Sequence, residues 1–342
     1  MKKIFAPVFL LFTVFLTSCG RNGVDTLTYA VFPYIPDVDY YQEIIERRWT
    51  EIEPDIELVR AEWDCYDDGV PDGIDVIMYD AVMRDALIEN DWIQPIDRNT
   101  VQDVEDIFPF ALEGLTADGR LYGIPVFLCG NFLIYDLDCA DLADAEHLTD
   151  LAQESEILVI NSRLEMNRPQ YIYEILADTL REANPTVGSD ADDLMALVDK
   201  LAVDAHEEDD DPQVALAYDS GTGKGYIGFS ESIRLLSKRI ARTGIKAISF
   251  SDQYDLPRVY VDAVAVNSKE KGQRYEKCIE LMNVIAEADV LSSLSVKDGI
   301  PQYILLARRS PYEPLADRFP LYAQMESLAF NENNQTILGP GP

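Results

Sequence analysis

Apolar and polar positions along the chain switch between two periods. Residues 27–32 (LTYAVF) and 56–62 alternate as half-buried strands do, and residues 74–79 (IDVIMY) form a short apolar run of strand type. Residues 39–52 repeat their apolar positions at helical spacing, and residues 81–89 do so again directly after Asp80. Strands and helices in this alternation predict a parallel, doubly wound α/β sheet. Ligands of such sheets bind beyond the carboxyl ends of the strands, which is where Asp80 falls.

Further along, residues 126–135 (VFLCGNFLIY) make a long apolar run interrupted by Cys129-Gly130-Asn131. A strand buried throughout has no need of that small polar step. The run reads as a strand that leaves one domain and crosses to another, with its break where backbone or ligand comes close. Residues 140–215 read as mainly helical and acidic, with loops at 184–193 and 206–212. Residues 259–267 (VYVDAVAVN) alternate like a second crossing strand, 276–286 form an amphipathic helix, and 331–342 read as a loose polar tail. The glycine-rich stretch 220–232 fails as a phosphate loop. Tyr218 stands where the first glycine is required, and Gly225 follows Lys224 in place of Ser or Thr.

The N-terminus has its own pattern. Lys2 and Lys3 precede the apolar residues 4–16, a run too short to span a bilayer, which ends in Leu16-Thr17-Ser18-Cys19. Residues 1–18 therefore read as a lipoprotein signal peptide, with lipid attached at Cys19 and residues 19–26 as a tether. The expectation is export, with the protein held by its lipid at the bacterial cell surface or in the periplasm. An ordinary secretory signal with an incidental Cys19 is the plainer alternative.

About 320 residues beyond the signal predict two domains, because single cores stop growing near that size. A hydrophobic fraction of 47% supplies them. The formal charge of −34, from 62 acidic and 28 basic residues, disfavours nucleic acid as a partner and is compatible with a cationic ligand. Cys65, Cys129, Cys139 and Cys278 follow no zinc spacing, and the sequence leaves any disulfide pairing open. With His147 and His206 the only histidines, a His-dependent triad or His-rich metal site is disfavoured, and nothing calls for a metal or organic cofactor.

Tyr122-Gly123-Ile124-Pro125, followed by an apolar run ending in Tyr135, resembles bacterial extracellular solute-binding proteins. A more specific likeness lies in an ordered set of segments. These are residues 32–36 (FPYIP), 63–66 (WDCY), 75–80, 128–131 (LCGN), 227–232, 260–268, 301–303 (PQY), and Ala307-Arg308. Together they resemble bacterial thiaminase I (thiamine pyridinylase) from about Thr28 to about Leu338. The resemblance implies a two-lobed periplasmic-binding-protein-like type II fold of the α/β class. Each lobe is a mixed sheet flanked by helices, and the ligand cleft lies between them. It assigns residues 27–130 and 260–310 to lobe 1, and 131–259 and 311–342 to lobe 2.

The activity implied is exchange of the thiazole of thiamine for another nucleophile, an amine or thiol co-substrate. Cys129 falls on the family's nucleophile and Glu231 on its base. Asp80 and Asp262 fall on acidic cleft residues, and Tyr34, Tyr66 and Tyr260 on aromatic positions around the pyrimidine. Phe32 and Phe229 stand where tyrosines are expected, and Gly130 where a larger residue is usual. These departures bear on ring stacking and substrate identity.

The residues themselves permit plainer roles. Cys129 suits a buried small apolar position, Glu231 a turn cap or a partner for Arg234, Asp80 a helix cap, and the tyrosines a core. An ordinary thiol has a pKa of about 8.5 and needs help to ionise at neutral pH. In so acidic a chain a carboxylate base is the natural activator, and Glu231 is the candidate. The alternative function is a non-catalytic, lipid-anchored receptor that delivers thiamine or a related pyrimidine to an ABC transporter.

Overall fold

The structure is a computed structural model that describes residues 24–66, 69–159, 193, 196–203, 211–249 and 258–339. The leader, Cys19, His206 and most of the two loops expected at 184–193 and 206–212 lie outside the described residues. None of the described helices is long and apolar enough to cross a membrane.

The strands in chain order begin with β1 (Thr26–Ala30), β2 (Glu57–Arg60) and β3 (Val76–Asp80). A small hairpin, β4 (Thr116–Ala117) and β5 (Arg120–Leu121), precedes β6 (Ile124–Cys129) and β7 (Phe132–Asp136). Then come β8 (Leu158–Val159), β9 (Gly225–Gly228), β10 (Thr243–Lys246) and β11 (Arg258–Val266). A second hairpin, β12 (Val296–Lys297) and β13 (Ile300–Pro301), precedes β14 (Leu305–Leu306) and β15 (Gln335–Thr336).

The larger sheet runs β14-β6-β11-β3-β1-β2, with β15 beside β11. β1 is parallel to β2 and β3, whereas β11 is antiparallel to both β3 and β6. The sheet is therefore mixed, as the family resemblance implies, and the parallel order read from the opening alternation holds for β1, β2 and β3. Parallel neighbours need a crossover on the same sheet. The helix α1 (Val38–Ile52) supplies one between β1 and β2, but the chain reaches β6 and β11 by other routes. Asp37 caps α1 by accepting the Tyr40 N–H at 3.2 Å, and Tyr41, Ile44, Ile45 and Trp49 form its buried face. Against it pack the helices Gly272–Ile285 and Ala288–Leu294.

The smaller sheet runs β10-β7-β9-β8. One of its faces carries Leu133, Tyr135, Leu158 and Ile227 into a core of its own. The other carries Phe132, Ile134, Tyr226 and Ile245 into the main core. The interrupted apolar run is thus two strands in two sheets: β6 ends at Cys129, β7 opens at Phe132, and only Gly130 and Asn131 lie between. β11 begins inside the larger sheet at Arg258, and β15 returns to that sheet from the C-terminal segment. That segment is not a loose tail where it is described. Thr336 pairs with Val259 in parallel, its hydroxyl donates to the Phe110 carbonyl at 3.0 Å, and the buried Asn334 amide donates to the Leu328 carbonyl at 2.8 Å.

Candidate active site

The parallel strands β1, β2 and β3 end at one edge of the larger sheet, and each end delivers part of the site. Beyond β1 come Phe32, Pro33 and Tyr34; beyond β2 comes the segment Trp63-Asp64-Cys65-Tyr66; β3 ends in Asp80 itself. Trp63 and Cys65 point inward and are buried, so Asp64 and Tyr66 point out. Desolvation in that interior pushes the Cys65 thiol well above the usual thiol range.

Phe32, Tyr34 and Tyr66 gather into one aromatic patch. Ring centroids lie 5.2 Å apart for Phe32–Tyr34, 6.2 Å for Phe32–Tyr66 and 6.5 Å for Tyr34–Tyr66. Tyr34 is 64% exposed and Tyr66 51%, so neither is a core residue, and their faces are open to a ligand. Their hydroxyls are tied down. Tyr34 donates to Asp64 Oδ2 at 2.8 Å, and Tyr66 donates to Asp80 Oδ2 at 2.7 Å.

Asp80 pairs with Asp262 across β3 and β11, and two residues away Tyr260 pairs with Cys129 across β11 and β6. Cross-strand partners share a face, and so do alternate residues of one strand. Asp80, Asp262, Tyr260 and Cys129 therefore project from the same face of the sheet. A register shift after Asp262 marks a bulge at this point, a common device beside binding sites. Both aspartates are buried, Tyr260 and Cys129 half-buried.

The Asp80 carboxylate also accepts the Val82 N–H at 3.0 Å, so it caps the turn Ala81–Met83 while holding Tyr66. Burial pushes its pKa up, against those two hydrogen bonds. Asp262 is pushed further, first by burial, then by the charge on Asp80, then by that on Glu231. Two carboxyl groups buried side by side do not both ionise readily, so the pair as a unit holds on to a proton above the usual carboxylate range.

Glu231 arrives from the smaller sheet. Phe132, which opens β7 just after the Cys129-Gly130-Asn131 step, pairs with Gly228 of β9. Glu231 follows three residues later on the 3₁₀ turn Ser230–Leu235. Phe229, not Glu231, occupies the capping position of that turn, and the Ser230 hydroxyl donates to Glu231 Oε2 at 3.4 Å. The seam between the two sheets therefore brings Cys129 and Glu231 to the neighbourhood of the buried aspartate pair, with Glu231 near enough to Asp262 for its charge to be felt. His147 stands apart, buried near Asp150 in the smaller-sheet region. No disulfide joins Cys65, Cys129, Cys139 and Cys278, and among the described residues no group of His, Cys, Asp and Glu is arranged to hold a metal ion. The residue that sequence reasoning passed over is Asp64. Its signal was an Asp two residues before a Tyr, the spacing at which an Asp side chain binds backbone N–H.

A two-lobed α/β chain with its polar and aromatic groups gathered at the junction of two mixed sheets is a periplasmic-binding-protein-like type II fold. The maltodextrin binding protein of L. casei has this fold. It superposes with a TM-score of 0.68 at 13% identity over 94% of this chain and 89% of its own. No protein-family model matches the chain. Two relatives are nearer. Thiaminase-1 of Paenibacillus thiaminolyticus is 28% identical over 98% of this chain and 92% of its own length. Clostridium botulinum thiaminase I, solved in complex with thiamin, superposes with a TM-score of 0.84 at 27% identity over 92% of this chain and 94% of its own. The chain is a homologue of thiaminase I.

Proposed function

We propose that this protein is a thiamine-degrading transferase that replaces the thiazole of thiamine with an external nucleophile, with Cys129 as its own nucleophile and Glu231 as its base. The observation that supports this most is that Cys129 shares one sheet face with Asp80 and Asp262, while Glu231, from the other sheet, lies near enough to Asp262 for its charge to be felt there. A receptor needs walls to hold a ligand; it has no use for a thiol beside a carboxylate base.

In this mechanism Glu231 takes the Cys129 Sγ proton, and Sγ bonds to a ring carbon of the pyrimidine. The bond from the bridging methylene to the thiazolium nitrogen then breaks, and thiazole leaves as a neutral molecule with that electron pair. An amine or thiol adds at the methylene and Sγ departs from the ring with its bonding pair; Glu231 returns its proton to Sγ, and the proton of the incoming nucleophile passes to solvent. The proton held by the Asp80–Asp262 pair is donated to a pyrimidine ring nitrogen, and the carboxylate of the pair accepts from the exocyclic amine. The open aromatic patch and the net charge of −34 both favour a thiazolium cation.

Export and lipid anchoring at Cys19 belong to the same proposal, supported by the pattern of residues 2–19. The nucleophilic co-substrate then meets the enzyme outside the cytoplasm. Cys129→Ser is the test. Thiazole release falls by about a thousandfold or more, while thiamine affinity measured by calorimetry stays within about threefold. An unchanged rate of product formation removes Cys129 as nucleophile.

A further inference from the structure

Asp64 uses both carboxylate oxygens on the aromatic patch. Oδ2 accepts the Tyr34 hydroxyl at 2.8 Å, and Oδ1 accepts the backbone N–H of Tyr66 at 3.0 Å. The two tyrosines come from different loops, one beyond β1 and the other beyond β2, separated by about thirty residues of chain. The second bond closes a turn of the Asp over its own backbone, a fold that Asp favours because its short side chain reaches two residues ahead. Asp64 itself is held from below, since its neighbours Trp63 and Cys65 are buried and the Trp63 indole N–H donates to the Gly69 carbonyl at 2.8 Å.

The consequences for the two rings differ. The Tyr66 hydroxyl is fixed on Asp80, so Tyr66 has an anchor at each end. The Tyr34 ring is 64% exposed, packed edge-on against Phe32 with an interplanar angle of 66° and 6.5 Å from the Tyr66 ring, and its hydroxyl is bound to the neighbouring loop at Asp64. Holding such a ring still before the ligand arrives lowers the entropic cost of binding, the general benefit of a preorganised site.

We infer that Asp64 is a positioning residue that sets the separation and tilt of the Tyr34 and Tyr66 rings and so fixes the aromatic face offered to the flat heterocycle of the substrate. It acts through the tyrosines and touches no reacting atom. The inference rests on the transferase reading for the identity of the heterocycle, but not for the geometry of the clamp.

The signature is a split between KM and kcat. Asp64→Ala raises KM for thiamine about tenfold and leaves kcat within about twofold, because the interaction lost serves ground state and transition state alike. Asp64→Asn keeps one acceptor oxygen and recovers most of the loss, to within about threefold of the parent KM. In a Tyr34→Phe background the Asp64→Ala change costs much less than in the parent, since both act on one hydrogen bond. An unchanged KM in Asp64→Ala, or effects of Asp64→Ala and Tyr34→Phe that simply multiply, overturns the assignment. Calorimetry of thiamine binding to the same variants carried on Cys129→Ser reads the clamp without turnover. A parent protein that binds thiamine and releases no thiazole overturns the transferase reading, and the affinities then decide Asp64 by themselves. Affinity unaltered by Asp64→Ala overturns the clamp whatever the activity.

Discussion

At the scale of single residues, the buried pair Asp80–Asp262 ties stability to function. Below about pH 4 the Asp262 carboxyl is protonated in both folded and unfolded chains. As pH rises, the unfolded chain loses its proton while the folded chain retains it, because burial, Asp80 and Glu231 raise the folded pKa. Stability therefore falls as pH rises through the window above the unfolded value and levels off once the folded group ionises. Asp262→Asn removes the ionisable group. It is expected to stabilise the protein at pH 7 by about 1–2 kcal/mol, to flatten the decline between pH 4 and 7, and to lower turnover. Urea titrations at several pH values check this, and an identical decline in both proteins contradicts it. The candidates Cys129, Glu231, Asp80, Asp262, Tyr34, Tyr66 and Tyr260 were drawn from an ordered set of short segments that resemble thiaminase I. Asp64 was not, because its importance lies in which loops it joins, and no local pattern shows that Tyr34 lies opposite it.

Elements were legible to the extent that they bury one face. The pattern placed the strand at 259–267 where β11 runs Arg258–Val266, and the helix at 39–52 where α1 runs Val38–Ile52. The Cys129-Gly130-Asn131 break was readable because a buried strand has no use for it, and it divides β6 from β7. β15 was missed because two polar residues carry no period; Gln335 and Thr336 are set by pairing with β11 and by Asn334 beneath them. The mixed direction of the sheet came from the family resemblance and not from the pattern, since alternation does not distinguish parallel from antiparallel neighbours.

Gly123, in the segment that leads into β6, shows how closely these elements approach. A Cβ there would sit 2.8 Å from the Val264 carbonyl oxygen and 3.3 Å from the Tyr79 hydroxyl. Gly123→Ala must push β6 away from β11, the two strands that carry Cys129, Tyr260 and Asp262. The expected loss is about 1–3 kcal/mol, read as a lower urea midpoint with unchanged slope. A variant as stable as its parent means the strands yield without cost.

For the whole molecule, the two-lobed arrangement followed from the resemblance of ordered segments, not from periodicity. The excess of 62 acidic over 28 basic residues was visible at once, but alone it indicated only solubility or attraction for cations. With an open aromatic patch beside buried carboxyl groups it gains a direction. Thiamine affinity is expected to weaken by about threefold or more between about 0.05 M and about 0.5 M NaCl, as screening removes the long-range attraction. Calorimetry across that range checks it, and a salt-independent affinity assigns recognition to the short-range contacts alone.

The central claim is chemical, that the protein breaks thiamine and transfers its pyrimidine. Mass spectrometry of the purified protein incubated with thiamine and aniline tests it most directly. Release of the thiazole alcohol together with a pyrimidine–aniline adduct in equal amounts is the expected result. Thiamine bound and recovered intact contradicts it, and would make the protein a receptor that keeps the enzyme's fold and cleft while serving transport.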